Sequence, residues 1–265
     1  MMDAIILAGA GNTGKLREVS TAAAEATIPV AGRPMVWHVV SALRKSRYVG
    51  RIIVVGPDEV ARVDYGIEPG RVVHLPSGET MIDNLLKAVD YAREQPHVLV
   101  VTSDVPLLTP EAVDDFIERC KPFEADIYYP VVSKETNEAL YPGVQRTYVR
   151  LREGTFTGGN LALVAPEALR RGRTVIQQAF LMRKKPIKLA RLLGFRFILK
   201  FVFNRLGLHE IEERAATVLG CTGRAVISPY PEVGIDVDKP SDLELVERVL
   251  AGKNRAASGG AGPQA

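Results

Sequence analysis

Apolar runs alternate with helix-like segments over the first 120 residues, and this alternation constrains the fold more than any other feature of the sequence. Four short runs rich in valine, isoleucine and leucine have the character of buried strands, at residues 3–7, 51–55, 71–75 and 97–101. Segments with apolar residues at helical spacing lie among them. The pattern predicts a parallel sheet with helices on both faces and right-handed crossovers.

The predicted helices begin at residues that suit helix starts. Pro34 opens one helical pattern, and Thr80 can cap a second helix that extends to Gln95. Thr109 and Pro110 supply a cap and a first-turn proline for a third helix. These signals place helices after the first, third and fourth predicted strands.

The second half of the chain is less regular. Further strands are predicted at residues 125–132, 145–151 and 159–164, with antiparallel pairing that would make the sheet mixed. A helical pattern over residues 166–219, a strand at 224–227 and a helix at 241–251 complete the prediction. We expect one domain over residues 1–251 with a helical insert at about 166–219, and a flexible glycine- and alanine-rich tail at 252–265.

Composition narrows the class of protein. The two cysteines, Cys120 and Cys221, exclude a disulfide scaffold and have no metal-site spacing. The chain begins without a basic leader, which favours a cytoplasmic protein. Residues 168–209 contain 11 of the 34 lysines and arginines and no acidic residue, which leaves the rest of the chain acidic. This basic segment favours an anionic partner, and a solvated helical face is the alternative.

The loop after the first strand is rich in glycine. Gly9–Gly14 matches the GxGxxG dinucleotide fingerprint and, with Lys15, nearly matches a P-loop. Both motifs require a helix to follow at once, but residues 16–33 are interrupted by proline and glycine, and Leu16 cannot hold magnesium. The acid that a dinucleotide site needs is also missing, since Asp58 is too distant in sequence. What remains is a glycine-rich loop whose N–H groups can approach a phosphate.

Aspartates follow two predicted strands. Asp104 comes closely after the fourth strand, and ligands of open α/β sheets bind at the carboxyl ends of strands. Thr109 already caps the next helix, which weakens a capping role for Asp104. Asp236 and Asp238 alternate along an extended stretch and so face one side, although a turn and helix cap is the alternative. Asp242 is expected in the first turn of the closing helix.

Five motifs in a fixed order resemble the MobA-like and sugar-nucleotide nucleotidyltransferases. They are Ile5–Gly9, Ile28–Met35, Thr102–Thr109, Thr157–Asn160 and Asp236–Leu243. The resemblance implies a three-layer α/β/α sandwich with a Rossmann-like, mixed but mostly parallel sheet. It also implies an enzyme that joins a nucleoside triphosphate to a phosphorylated acceptor and releases pyrophosphate. The likeness extends to guanylyltransferases and cytidylyltransferases, so CTP or GTP is the favoured nucleotide, and no nucleic acid partner is expected.

The resemblance assigns roles to individual residues. Magnesium would be held by Asp104 and Asp238, with Asp236 beside them, and the acceptor by Gly158, Gly159 and Asn160. Lys15, Arg17 and Asp104 are the expected catalytic residues. The nucleotide would be bound by Leu7, Ala8, Gly9, Ala10, Gly11, Gly14, Lys15, Ser77, Gly78, Thr80 and Ser103, although Thr80 serves equally well as a helix cap.

The chain departs from the family pattern at two positions. Ala10 replaces a glycine, and Glu25–Thr27 occupies the place of a lysine that precedes the Ile-Pro-Val stretch. A carboxylate cannot bind a triphosphate as a cation does, so Lys15 or Arg17 would have to reach the same space. This departure leaves one alternative open, a catalytically weak nucleotide- or phosphate-binding protein acting as a sensor or docking module. A dinucleotide-dependent oxidoreductase is a separate alternative.

The segment from residue 184 to 208 combines apolar and basic residues. A cation every four or five residues excludes a membrane-spanning helix. Two short helices that form a lid over the acceptor would suit this composition, with a lipid-phosphate acceptor or an acidic membrane surface as the partner. A core-packed helical pair or a homodimer interface is the alternative.

Overall fold

The computed structural model describes residues 1–68, 70–172, 200 and 205–259. A mixed sheet runs through this part of the chain in the order β5-β4-β1-β6-β10-β7-β9-β8, and β11 pairs with β7. Its strands are β1 (Met2–Leu7), β4 (Val49–Gly56), β5 (Val72–Pro76), β6 (Val98–Thr102), β7 (Ile127–Ser133), β8 (Val149–Leu151), β9 (Gly154–Gly158), β10 (Leu161–Val164) and β11 (Gly223–Ile227). A separate small hairpin joins β2 (Pro29–Val30) to β3 (Arg33–Pro34).

Helices flank the sheet on both sides. They are α1 (Met35–Lys45), α2 (Asp58–Ala61), α3 (Met81–Tyr91), α4 (Pro110–Arg119), α5 (Lys134–Leu140), α6 (Leu208–Leu219) and α7 (Pro240–Gly259). Strands β5, β4, β1 and β6 are parallel, and β10 pairs antiparallel with both β6 and β7. The predicted three-layer α/β/α fold with a mixed, mostly parallel sheet is confirmed.

Alternate residues of the central strands supply two separate cores. Ile6 on β1 faces the layer that contains α1 and α4, where Phe116 is fully buried. Ile5 faces the opposite layer, where Ile82 and Leu86 of α3 pack. Because side chains alternate along a strand, a strand buried on both faces must be apolar throughout, which explains the continuous apolar runs in the sequence.

The starts predicted at Thr80 and Thr109 are confirmed, whereas the predicted end of α3 is wrong. The Thr80 and Thr109 hydroxyls accept hydrogen bonds from the backbone N–H groups of Asp83 and Ala112, at 3.1 and 3.2 Å. Helix α3 ends at Tyr91 rather than at Gln95. The Gln95 side chain instead accepts a hydrogen bond from the Asp3 backbone N–H at 3.0 Å, so this segment leaves the helix to cover the start of β1.

Several elements of the second half differ from the sequence prediction. Strand β8 covers only 149–151, and α5 and β9 were not predicted. Helix α7 continues to Gly259 instead of ending at residue 251. Residues 166–172 are helical, whereas 173–199 and 201–204 lie outside the described residues, as does 260–265. Most of the predicted basic insert, including its lid, and the end of the tail therefore stay predictions. Within the described residues, no helix is long and apolar enough to cross a membrane.

Removal of the Thr109 hydroxyl tests the cap of α4. We expect Thr109→Ala to lower the free energy of unfolding by about 1 kcal/mol, because the Ala112 N–H loses its partner. Thr109→Ser keeps an acceptor oxygen and should retain most of the stability. Urea unfolding of the three proteins measures the difference, and equal stability of the alanine variant and the wild type would contradict the cap.

Candidate active site

The pairing of β1 with β6 brings two predicted site segments to one edge of the sheet. The strands are parallel neighbours, and Leu7 at the end of β1 pairs with Thr102 at the end of β6. The glycine-rich loop follows Leu7, and Asp104 follows Thr102. Both segments therefore emerge side by side at the carboxyl edge, where open α/β sheets bind ligands.

Three carboxylates meet at this edge. Oxygen atoms of Asp104, Asp236 and Asp238, here called the carboxylate cluster, all lie within 4.8 Å of one another. The Thr102 hydroxyl donates to Asp104 Oδ1 at 2.5 Å, and the Val237 N–H donates to the Asp104 carbonyl at 2.9 Å. Buried Val237 separates the other two aspartates, so both face the cluster as their alternation predicts.

Burial and mutual repulsion make the charged form of this cluster costly. Burial, and after it the charge of Asp236, raise the pKa of Asp104 to about 6, although the Thr102 hydrogen bond acts in the opposite direction. Burial and then Asp236 also raise the pKa of Asp238. A carboxylate whose charge is disfavoured in this way gains most from a bound cation.

The donor set suits a magnesium ion. Carboxylate oxygens are the ligands that this hard cation prefers, and two ligands on opposite sides of Mg²⁺ are about 4.2 Å apart. The oxygen separations in the carboxylate cluster, all within 4.8 Å, are close to that span. One ion could therefore contact members of the cluster and still keep coordination positions for water or phosphate.

Arg146 is a site residue that the sequence analysis missed. Its guanidinium forms an ion pair with Asp236, and the two side chains are only 13% and 15% exposed. The residue comes from the loop before β8, a segment that we had predicted to be a strand. Because Arg146 neutralises Asp236, the ionised cluster keeps a net charge of −2, which one divalent cation would balance.

Asn84 connects two of the predicted nucleotide-binding segments. Its side-chain oxygen accepts a hydrogen bond from the Gly78 N–H at 2.5 Å, and its amide nitrogen lies 2.7 Å from where a Cβ on Gly9 would stand. That Cβ would also lie 3.3 Å from the Ser77 Cβ. Gly9 must therefore lack a side chain for its loop to approach the start of α3. A buried asparagine on the apolar face of α3 was the signal that could have identified this residue.

A short 3₁₀ helix, Lys15–Glu18, follows the glycine-rich loop instead of an α-helix. Leu16 is fully buried beneath it, whereas Lys15 and Arg17 are exposed. Neither cation forms an ion pair with another residue in the described parts of the chain. The loop thus lacks the helix N-terminus of dinucleotide and P-loop sites, and it has two unpaired cations next to it.

Glu25 lies against the same loop. Its N–H donates to the Ala10 carbonyl at 3.1 Å, and its Oε1 is 3.6 Å from the position that a Cβ on Gly14 would take. Burial and then the negative charge of Asp238 raise the pKa of Glu25. The sequence therefore departs from the family pattern at a residue whose charge adds to that of the carboxylate cluster.

Gly158 and Gly159 have a steric reason to be glycine. A Cβ on Gly158 would lie 2.5 Å from the Tyr129 hydroxyl oxygen, and that hydroxyl donates to the Gly159 carbonyl at 2.6 Å. The paired glycines therefore let β9 pass directly over the ring of Tyr129. This tyrosine was not among the predicted site residues.

Asn160 is fixed by its backbone and has an unused side chain. Its carbonyl accepts from the Thr102 N–H at 3.0 Å, and its N–H donates to the Val233 carbonyl at 2.7 Å. The side-chain Nδ2 is buried and has no hydrogen-bond partner within the described residues. A buried donor without a partner is costly, so this group is available to a ligand.

The other predicted site residues lie nearby with less distinctive contacts. Ala8 and Ser103 are buried, and Leu7 is half-buried at the end of β1. The Thr80 hydroxyl serves as the cap of α3, which was the alternative reading of that residue. Asp242 lies in the first turn of α7 as predicted and accepts from the Asp238 N–H at 3.2 Å. The individual roles toward nucleotide and acceptor stay predictions.

The fold and the acidic edge define a nucleotidyltransferase of the α/β class, and the comparison with protein families agrees. The profile of the MobA-like NTP transferase domain matches residues 4–179. The chain belongs to the MobA-like NTP transferase family.

Solved structures share the fold. A hypothetical transferase from Thermus thermophilus is 40% identical, with a TM-score of 0.80 over 91% of this chain and 99% of that one. The 2-C-methyl-D-erythritol 4-phosphate cytidylyltransferase of the same species shares the fold at 16% identity, with a TM-score of 0.57 over 95% of this chain and 100% of that one. A CMP:2-keto-3-deoxy-manno-octonic acid synthetase complexed with CTP is 14% identical, with a TM-score of 0.60 over 96% and 100% of the two chains.

A curated relative matches a shorter stretch. The bifunctional protein GlmU of Parvibaculum lavamentivorans is 32% identical over 97 residues, which is 35% of this chain. The chain covers 22% of the length of that relative.

The cost of charging Asp104 gives a prediction for stability. Because folding raises its pKa to about 6, the metal-free protein loses stability as pH rises from about 4 through 6. Asp104→Asn removes this loss. We expect the variant to match the wild type near pH 4 and to exceed it by about 1–2 kcal/mol at pH 7.5, after allowance for solvent in the cleft.

Urea unfolding at the two pH values, with and without Mg²⁺, measures this effect. Magnesium should stabilise the wild type at pH 7.5 more than it stabilises Asp104→Asn. A variant less stable than the wild type at pH 7.5 without metal would show that the carboxylate is satisfied by the protein alone.

Proposed function

We propose that the protein is a magnesium-dependent nucleotidyltransferase that joins a nucleoside triphosphate to a phosphorylated acceptor. An oxygen of the acceptor phosphate attacks the α-phosphorus, the bond between the α- and β-phosphates breaks, and pyrophosphate leaves. The observation that carries the proposal is the carboxylate cluster, whose oxygens lie within 4.8 Å of one another beside the glycine-rich loop.

Negative charge on the phosphate oxygens is the main obstacle to this reaction, so the site needs cations and N–H donors more than a strong base. In the proposal, Asp104 and Asp238 hold the metal ion with Asp236, which Arg146 keeps in place. When bound, magnesium supplies charge neutralisation at the phosphates.

The glycine-rich loop and its two cations would bind the triphosphate. The loop is exposed from Gly9 to Gly11 and again at Gly14, so its backbone can approach a phosphate closely. Lys15 and Arg17 are exposed and have no ion-pair partner among the described residues, so their side chains can neutralise the negative charge of the leaving pyrophosphate. The Asn160 amide, which lacks a partner there, would donate to the acceptor. These contacts orient both reactants without taking part in a covalent step.

The structural similarity to two cytidylyltransferase-type enzymes favours CTP as the first nucleotide to test, with GTP second. The acceptor would be a phosphorylated small molecule or a lipid phosphate. Contact with an acidic membrane surface also stays part of the proposal, since it suits the basic segment at residues 168–209. A homodimer through residues 184–208 and a cytoplasmic location stay part of it as well.

Loss of a metal-binding carboxylate should abolish the reaction. We expect Asp104→Asn and Asp238→Asn to lower pyrophosphate release at least ~100-fold, because neither amide can neutralise the metal ion as a carboxylate does. The assay uses CTP, GTP, ATP and UTP with a panel of phosphorylated acceptors, and chelation of magnesium should give the same loss.

Asp58→Asn is the matched control, since this exposed aspartate lies in α2 and does not belong to the carboxylate cluster. Its rate should equal that of the wild type. A rate for Asp104→Asn within twofold of the wild type would remove the metal assignment.

The position of Glu25 favours a second candidate function, that of a nucleotide-binding protein with little catalysis. Such a protein would bind CTP and release no pyrophosphate with any acceptor in the panel. In the absence of metal, Glu25→Lys should bind CTP about tenfold more tightly than the wild type, because a repulsive charge beside the loop becomes attractive. Glu25→Gln should give a smaller gain, and equal affinities in all three proteins would show that Glu25 does not face the triphosphate.

A further inference from the structure

A cavity of about 350 Å³ lies between α6 and the end of the sheet that is distant from β5. Strands β7, β8, β9 and β11 form its floor, and α6 forms its roof. Apolar side chains dominate its walls, among them Ile127, Val131, Leu151, Phe156, Leu208 and Ile211. Among the described residues of the lining, two are charged, Glu212 and Arg224, and they form an ion pair with each other at 3.1 Å.

The cavity is a half-open apolar pocket and not a sealed void in the core. No residue of α6 is buried, so its apolar side chains line the cavity instead of closing it. A volume of about 350 Å³ and an apolar wall are typical of pockets that bind small molecules.

The cavity reaches the proposed acceptor loop. Tyr129, Thr157 and Gly158 belong to its lining, and the Tyr129 hydroxyl donates to the Gly159 carbonyl at 2.6 Å. Asn160, with its unpartnered amide, is the next residue.

One lining residue of the cavity lies close to the segment that precedes Asp236. The Gly158 carbonyl lies 3.3 Å from where a Cβ on Gly234 would stand, and Gly234 is two residues before Asp236. The charges of Asp236 and Arg146 also act on the Tyr129 phenol. Burial is the main cause of its raised pKa, the charge of Asp236 raises the pKa as well, and the charge of Arg146 lowers it. Tyr129 and Gly158 thus lie between the cavity and the site where a phosphate would be bound.

We propose that this cavity binds the hydrocarbon chain of the acceptor, which is a lipid monophosphate. The inference rests on the proposed function and specifies its acceptor. The phosphate would be held by the Asn160 amide and by the metal ion that the carboxylate cluster binds, and the chain would pass Tyr129 into the space beneath α6. An apolar chain suits these walls because every buried methylene gains free energy, whereas a sugar would lose hydrogen bonds to water there.

A series of alkyl phosphates tests the proposal without turnover. Butyl, octyl and dodecyl phosphate are titrated calorimetrically with Mg²⁺ present, below the concentrations at which they form micelles, and CTP is titrated in parallel. We expect affinity to rise about two- to fourfold for each added methylene until the cavity is full. Octyl phosphate should also bind at least tenfold more tightly than octanol, because the phosphate site is joined to the cavity.

Variants that fill the cavity connect this binding to α6. Ala215→Leu adds a branched side chain to the roof and should weaken octyl phosphate about tenfold without a change for butyl phosphate or CTP. Thr217→Leu is the matched control, since Thr217 is exposed on the same helix and should leave every affinity unchanged. Gly223→Val is a second filling variant, because a Cβ at Gly223 meets no atom within 4 Å.

Several results would overturn the inference. Affinity that does not depend on chain length, with CTP binding intact, would refute the lipid acceptor and leave the proposed function in place. A cavity that is already occupied by other residues of this chain or by a second copy would likewise give alkyl phosphate affinities that do not depend on chain length. Octanol that binds as tightly as octyl phosphate would show that the cavity is not joined to the phosphate site. A steep chain-length series with no pyrophosphate release from any acceptor would instead count against the proposed function.

Discussion

Electrostatic repulsion among Asp104, Asp236 and Asp238 is the constraint on which the proposed metal site depends. The fold holds three carboxylates within 4.8 Å of one another and pairs one of them with Arg146. Burial raises the pKa of Asp104 to about 6, so the charged form is held at a cost to stability. A protein that needed only stability would have no use for such a cluster. A divalent cation bound there would turn the repulsion into binding free energy, and in the proposed function the same ion would serve phosphoryl chemistry.

The sheet explains why the reactants would meet here. Parallel pairing of β1 with β6 places the glycine-rich loop and Asp104 at one edge, while the turn into antiparallel β10 brings Asn160 to the same place. The hydrogen bond from Val237 to the Asp104 carbonyl then attaches the remote segment that contains Asp236 and Asp238. The proposed nucleotide, metal and acceptor contacts would thus come from segments far apart in sequence, which the regular backbone brings to one edge of the sheet.

The sequence allowed prediction of those features that have a local signal. Strands buried on both faces must be apolar throughout, so β1, β4 and β6 were recognisable, and the rule for parallel sheets placed Asp104 at the ligand-binding edge. Arg146 had no such signal, because its partner Asp236 is 90 residues away and the contact depends on a loop. Tyr129 was missed for a similar reason, since its importance follows from the close approach of Gly158. Asn84 did have a signal, because it is a polar residue on the apolar face of α3. The cavity beneath α6 depends on how four strands and one helix fit together, which no local pattern encodes.

A crystal grown with MnCl₂ and a non-hydrolysable CTP analogue would show whether the carboxylate cluster binds a metal ion beside the nucleotide, since manganese can replace magnesium and gives an anomalous signal. The account predicts one strong anomalous peak about 2.2 Å from carboxylate oxygens of Asp104 and Asp238, with an α-phosphate oxygen among its remaining ligands. A nucleotide bound at the glycine-rich loop with manganese elsewhere, or with no metal at the carboxylate cluster, would contradict it.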